Sequence, residues 1–119
     1  MKKVYVLIIA LLCTAALVAQ QRTEKTNKIT NLTEVIYYYE DGNIQQKGTF
    51  NKKKQPHGKW VSYDNNGDKL SVGYYDAGKK IGKWFFWTNE GLREVDYKNN
   101  KIVSVNTWID DESALVSNE

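Results

Sequence analysis

Cysteine, histidine and proline each occur once in the 119 residues of this chain, as Cys13, His57 and Pro56. One cysteine forms no internal disulfide, and one cysteine with one histidine is too small a set for a zinc cluster. An excess of charge of one sign is missing too: 17 Lys and Arg face 14 Asp and Glu, a formal net charge of +3. Lys2 and Lys3 supply two of those positive charges, so the chain from residue 20 onward carries a net +1. That balance lacks the concentrated basic stripe on which nucleic-acid binding depends, and no nucleic-acid partner is expected. Also missing are a serine elbow, a phosphate loop, a metal-ligand motif and any helical spacing of apolar residues. No catalytic, cofactor-binding or metal-ligating residue is therefore nominated, and the chain is read as non-enzymatic. The length accommodates one small domain and leaves no room for a two-domain enzyme.

Long apolar runs are absent except at the start. After Met1-Lys2-Lys3, residues 4–19 are apolar almost throughout, and a polar stretch beginning Gln20-Gln21-Arg22 follows. A short basic start, an apolar stretch and a small residue before a polar one describe a secretory signal peptide over residues 1–19. Cleavage is expected after Ala19, with Ala16 as the alternative and a retained anchor as a third outcome. The run falls short of the ~18–20 residues of a spanning helix. Cys13 lies inside it behind Leu12 and reads as a small hydrophobe rather than a lipidation site. The expected destination is the periplasm or the exterior, and the exported chain, free of cysteine, must rely on packing alone.

What the chain does hold is a repeat. Gly58-Lys59-Trp60-Val61-Ser62-Tyr63 recurs 24 residues later as Gly82-Lys83-Trp84-Phe85-Phe86-Trp87. Each copy runs into a turn ending in glycine, Asp64-Asn65-Asn66-Gly67 and Thr88-Asn89-Glu90-Gly91. An earlier copy keeps Tyr39-Glu40-Asp41-Gly42, and its Gly48-Thr49-Phe50 matches Gly73-Tyr74-Tyr75. Trp108, 24 residues beyond Trp84, is read as the mark of a worn last copy. Segments 60–64 and 70–76 are rich in aromatic and branched residues, and Asn/Asp/Gly turns join them, so each unit reads as a β-hairpin. The predicted fold is all-β, an antiparallel β-meander of stacked hairpin repeats of about 24 residues, three plus a degenerate fourth.

The pattern Gly-Lys-Trp-x-x-Tyr, an Asn/Asp turn with glycine, a strand into Gly-x-Tyr and a Gly-Lys-Lys link resembles the MORN-variant repeat. The likeness covers roughly residues 35–108, essentially all of the repeat domain expected at residues 34–109, between a flexible leader or cap at 20–33 and an acidic tail at 110–119. It implies an exported protein of the kind common in Bacteroidetes-type bacteria, among which some relatives are labelled antitoxin components. Such repeats serve as scaffolds for unrelated tasks, so the resemblance implies a fold and a binding role without naming a ligand.

Fourteen of the 15 aromatic residues lie between Tyr37 and Trp108. Alternation puts Trp60 with Ser62 on one strand face and Val61 with Tyr63 on the other; Trp84 with Phe86 and Phe85 with Trp87 divide likewise. Gly48 and Gly73 leave gaps on the faces of Phe50 and Tyr75, across which a tryptophan of a neighbouring strand could lie. Two readings stand: Trp60, Trp84, Tyr63, Trp87, Phe50, Tyr75 and Tyr97 are core, or some form a solvent-facing ladder that grips a peptide or stacks on sugar rings. Trp87 is the first to inspect, since it replaces Tyr39 and Tyr63 of the other copies.

Lys52-Lys53-Lys54 forms a basic link that could meet anionic lipid or simply face water. His57 has no companion ligand. Glu40, Asp41, Asp64, Asp68, Glu90, Glu94 and Asp96 recur with the repeat, where a glycosidase pair would occur once, and turn chemistry accounts for Asp41 and Asp64. The last predicted strand, 102–109, is followed by Asp110-Asp111-Glu112, read as protection of its edge. The reading is an exported binding or scaffolding module for a protein or envelope polymer. Alternatives are a carbohydrate- or wall-polymer-binding module, a lipid binder at a membrane surface, and a toxin-neutralising partner.

Overall fold

The computed structural model describes residues 21–109. The signal peptide expected at 1–19 and the tail at 110–119 lie outside the described residues. Residues 21–109 form one eight-stranded antiparallel sheet in which spatial order equals chain order. The strands are β1 (Arg22–Asn27), β2 (Leu32–Tyr38), β3 (Ile44–Phe50), β4 (Gly58–Tyr63), β5 (Lys69–Asp76), β6 (Lys79–Thr88), β7 (Gly91–Lys98) and β8 (Lys101–Trp108). The sheet therefore starts at Arg22, and the segment read as a leader or cap supplies the capping strand β1. The domain boundary expected at residue 34 moves accordingly, because β1 pairs with β2 along its whole length, from Arg22–Tyr37 to Asn27–Leu32.

The turns follow from local chemistry. Asp64 Oδ1 accepts the amides of Asn66 and Asp68, both at 2.9 Å, and Gly67 closes that turn at φ +88°. One unit earlier Asp41 accepts the Asn43 amide at 3.0 Å. At the other end of the sheet, β5–β6 and β7–β8 are joined by the two-residue turns Ala77-Gly78 and Asn99-Asn100, all four residues at positive φ. Positive φ at both central positions marks the primed turns, whose twist matches that of the strands. Neighbouring links are tied together: Gly78 donates to the Pro56 carbonyl at 2.8 Å, and Asn100 Oδ1 accepts the Lys80 amide at 2.7 Å.

Packing is organised by one row of residues running across the strands. Glu24 pairs with Val35, and Val35 with Gly48; Trp60 pairs with Gly73, Trp84 with Val95, and Val95 with Val105. Val35, Trp60, Trp84 and Val95 are buried, as are Gly48 and Gly73. The glycines are required by what lies on them. A Cβ at Gly48 would fall within the Trp60 ring, and one at Gly73 within the Trp84 ring. Each indole thus lies over the preceding strand. Its N–H donates to the carbonyl of the residue after the glycine: Trp60 Nε1 to Thr49 at 3.0 Å, and Trp84 Nε1 to Tyr74 at 3.1 Å. Buried indole N–H groups need such partners, each hydrogen bond contributing about 1 kcal/mol.

Register corrects one sequence reading. The residue of β8 that occupies the row is Val105, opposite Val95, whereas Trp108 pairs with Leu92 near the strand's end and is exposed. The 24-residue spacing fails there because the chain takes a shorter path between row residues. Trp84 pairs with Val95 where Trp60 pairs with Gly73, which removes two residues. The step from Val95 to Val105 is one residue shorter than that from Gly73 to Trp84.

Adding one methyl group at either row glycine should displace an indole. Gly73→Ala is expected to lose about 3 kcal/mol, the upper part of the overpacking range. Gly67→Ala, where a Cβ meets open space, should lose about 1 kcal/mol, from its left-handed backbone alone. Urea unfolding followed by tryptophan fluorescence checks both.

Candidate functional site

The aromatic side chains on the tryptophan face touch edge to face across five strands. Ring centroids lie 5.0 Å apart for Phe50–Trp60, 6.1 Å for Trp60–Tyr75, 4.9 Å for Tyr75–Trp84 and 6.0 Å for Trp84–Tyr97. Such geometry sets ring edges, slightly positive, against ring faces, and each pair contributes about 1 kcal/mol beyond its area. Lys80 Nζ sits 5.2 Å from both the Trp84 and Tyr97 rings, so its charge is held against aromatic faces. Of the two readings for the tryptophan pair, Trp60 and Trp84 belong to the core, at 6% and 5% exposure. They are not an open ladder.

Burial, with the negative charge of an ionised Tyr97 as the smaller cause, raises the Tyr75 phenol above its ordinary value of 10.0. A group whose folded value is raised contributes stability that is complete below its unfolded value and is lost as pH climbs through the folded one. The sheet should therefore weaken above pH 10.0, the unfolded value. Tyr75→Phe should move alkaline unfolding to higher pH in a circular-dichroism titration.

Beside this aromatic chain the same face dips. The next row across the strands reads Tyr37, Gln46, Ser62, Ser71 and Phe86, each directly opposite the next. Small Ser62 between larger side chains borders an open groove of about 560 Å³ spanning β2 to β5. Gln46 and Ser62 lie among its lining residues, with Phe50, Trp60 and Tyr75 from the aromatic chain and Tyr37, Tyr39 and Tyr63 from β2, its turn and β4. Tyr39 is fixed there, because its hydroxyl donates to the Tyr63 carbonyl at 2.6 Å. Among the described residues no acidic or basic side chain lines the groove.

Among the residues singled out in the sequence, Tyr63 lines this groove while Trp60 contributes only a buried edge. Trp87 is elsewhere. It is 40% exposed, pairs with Leu92, and shares a second open recess of about 540 Å³ with Leu92, Trp108 and Ile109. By alternation that recess lies on the face opposite Trp84. Lys52, Lys53 and Lys54 are exposed on a link whose backbone is ordered by Asn51: Asn51 Oδ1 accepts the amides of Lys53 and Gln55, both at 3.0 Å. They approach neither the groove nor Trp87 as lining residues. His57 Nδ1 accepts the Ala77 amide at 3.1 Å, which uses its lone pair, so the 3.7 Å approach of Asp76 is not an ion pair in that tautomer. Asp41 and Asp64 serve their turns, and Glu94 lies 3.1 Å from Lys83 on the adjacent strand. Among the described residues no group of three or more His, Cys, Asp or Glu is placed to hold a metal ion.

Tyr37, Gln46 and Ser62 were not singled out in the sequence as site residues. The signal that points to them is the small polar residue two places after the buried tryptophan, Ser62 where the next copy has Phe86. Comparison with known proteins finds no family model that matches the chain, no similar curated protein and no similar solved structure.

Burial separates the tryptophans experimentally. Trp84→Ala should lose about 3–5 kcal/mol of stability, as deletion of a buried indole does. Trp87→Ala should lose no more than about 1 kcal/mol. Denaturant midpoints of the two variants make the comparison.

Proposed function

We propose that the protein is an exported, non-catalytic binding module of the cell envelope, and that its β2–β5 groove holds an extended, uncharged segment of a partner protein. The observation that carries this reading is the lining of the groove. Tyr37, Tyr39, Phe50 and Tyr75 offer apolar ring surface, while the Gln46 amide and the Ser62 hydroxyl each donate and accept hydrogen bonds. That combination suits the alternating side chains and amides of a peptide, and aromatic residues are the usual anchors at protein interfaces. The absence of charged lining residues selects against acidic or basic ligands. The Trp60 indole lies against Gly48 of β3 and offers a sugar ring no open face, so stacking of a sugar would fall to the tyrosines alone. Export is supported by the basic start and apolar run of residues 1–19. The scaffold role is supported by the resemblance to MORN-variant repeats.

Selection of phage-displayed random peptides, run beside a glycan array, tests the reading. Uncharged peptides should be recovered, and Ser62→Tyr should weaken their binding at least about tenfold, which is 1.4 kcal/mol. Tyrosine suits a strand at least as well as serine does, so the fold should persist, as near-ultraviolet circular dichroism will report. Glycans retained by the native chain and lost by Ser62→Tyr, with no peptide recovered, would replace the peptide by a sugar polymer.

A further inference from the structure

The two edges of the sheet are unlike. β1 carries Arg22, Glu24 and Lys25 among its six residues, the kind of charged edge that resists pairing with another chain. β8 carries one charge, Lys101, at its very start. All eight of its residues are exposed, including Ile102, Val103, Val105 and Trp108, with Ile109 directly after. Strand pairing reaches β8 from β7 only, so among the described residues its outward backbone N–H and C=O groups face no strand. Apolar side chains lie on both faces: Val105 pairs with Val95 on the tryptophan face, while Trp108 pairs with Leu92 on the other, beside Trp87. An apolar strand with free backbone groups is a template for one more strand, and only a strand satisfies both features together.

We propose that the strand it receives is β8 of a second copy, paired antiparallel across a two-fold axis, so that two eight-stranded sheets become one. Three observations select a second copy and this orientation. The strand is free of charge from Ile102 to Trp108, so no like charges meet when it faces itself. Its one charge, Lys101, stands at one end, and in the sequence Asp110-Asp111-Glu112 continue from the other. Antiparallel pairing brings the basic end of each copy to the acidic end of its partner, whereas parallel pairing would set like against like. Head-to-tail joining of β8 to β1 would set Arg22, Glu24 and Lys25 of the charged edge against an uncharged strand and generate an open filament, whereas the two-fold pairing closes. A two-fold axis through Val105 keeps each face on its own side. Val105 then sits opposite its own copy and extends the buried row from Val95 into the partner, while Ser104 meets Asn106 on the other face. The groove between β2 and β5 stays open on each copy, so this pairing is independent of what the groove holds.

Disulfide trapping on the full chain tests the arrangement, with Cys13→Ala in every variant. Opposite residues of an antiparallel pair have Cα atoms about 4.5–5.5 Å apart, within disulfide reach. Val105→Cys should therefore give a species of twice the chain mass on oxidation, and Thr23→Cys on β1 should not. Sedimentation of the chain without introduced cysteine should show a monomer–dimer equilibrium shifted to monomer by Val105→Lys. Val103→Lys, at a more exposed position, should act the same way while the fluorescence of the buried Trp60 and Trp84 is retained. The proposal is overturned by a monomer at every concentration, by cross-linking only between a β1 cysteine and a β8 cysteine in mixed chains, or by a dimer that both lysine variants leave intact.

Discussion

An indole laid flat over a glycine of the neighbouring strand is the contact on which the rest of this sheet depends. Among the described residues the sheet has no second layer to bury its side chains, so apolar groups find cover within the plane of their own face. Trp60 and Trp84 solve this by leaning onto β3 and β5, where Gly48 and Gly73 remove the side chain that would hold them off. The indole N–H is satisfied by the next carbonyl along, which makes the arrangement complete in both its apolar and its polar parts. Phe50, Tyr75 and Tyr97 then pack their rings against the tryptophans from the side. Because each interlock joins one unit to the unit before it, the fold grows by repetition, as nearest-neighbour stabilisation in repeat proteins requires.

Where the interlock stops, the surface changes character. Val35 closes the row on one side, and Val95 with Val105 closes it on the other, so the last strands lack the tryptophan that covers the middle of the sheet. At the β1 end charged residues stand in the remaining exposure, and at the β8 end aliphatic residues and Trp108 do. The groove has a related origin. Ser62 sits beside the packed aromatic chain, and its small size leaves a hollow walled by rings that are already held in place by the core. Groove and core thus share residues: Phe50 and Tyr75 pack the tryptophans and line the groove at once. A groove so built is pre-organised, and for the ligand proposed above that would lower the ordering cost of binding.

Much of this was legible in residue order. Turn residues announce themselves locally, since Asp64 and Gly67 act through their own side chain and backbone angle. The pairing of Gly48 and Gly73 with tryptophans was legible too, because a missing side chain on an aromatic strand face implies something large lying across it. The limits appear where several strands add together. The 24-residue spacing points at Trp108, yet the shorter β6–β7 hairpin and the β7–β8 register give its place in the row to Val105. Two tryptophans of identical motif, Trp60 and Trp84, are buried, whereas Trp87 is exposed. That difference is set by neighbours on other strands rather than by the motif.

Strand, turn and meander were thus determined by the amino-acid order alone, since backbone angle, alternation and side-chain volume act within a few residues of where they are written. The groove, the β8 edge that no described strand covers and the division of aromatics between core and surface were decided only in the tertiary structure. Each depends on which residues four or more strands bring side by side, and a register shift of one residue at any of them changes the answer.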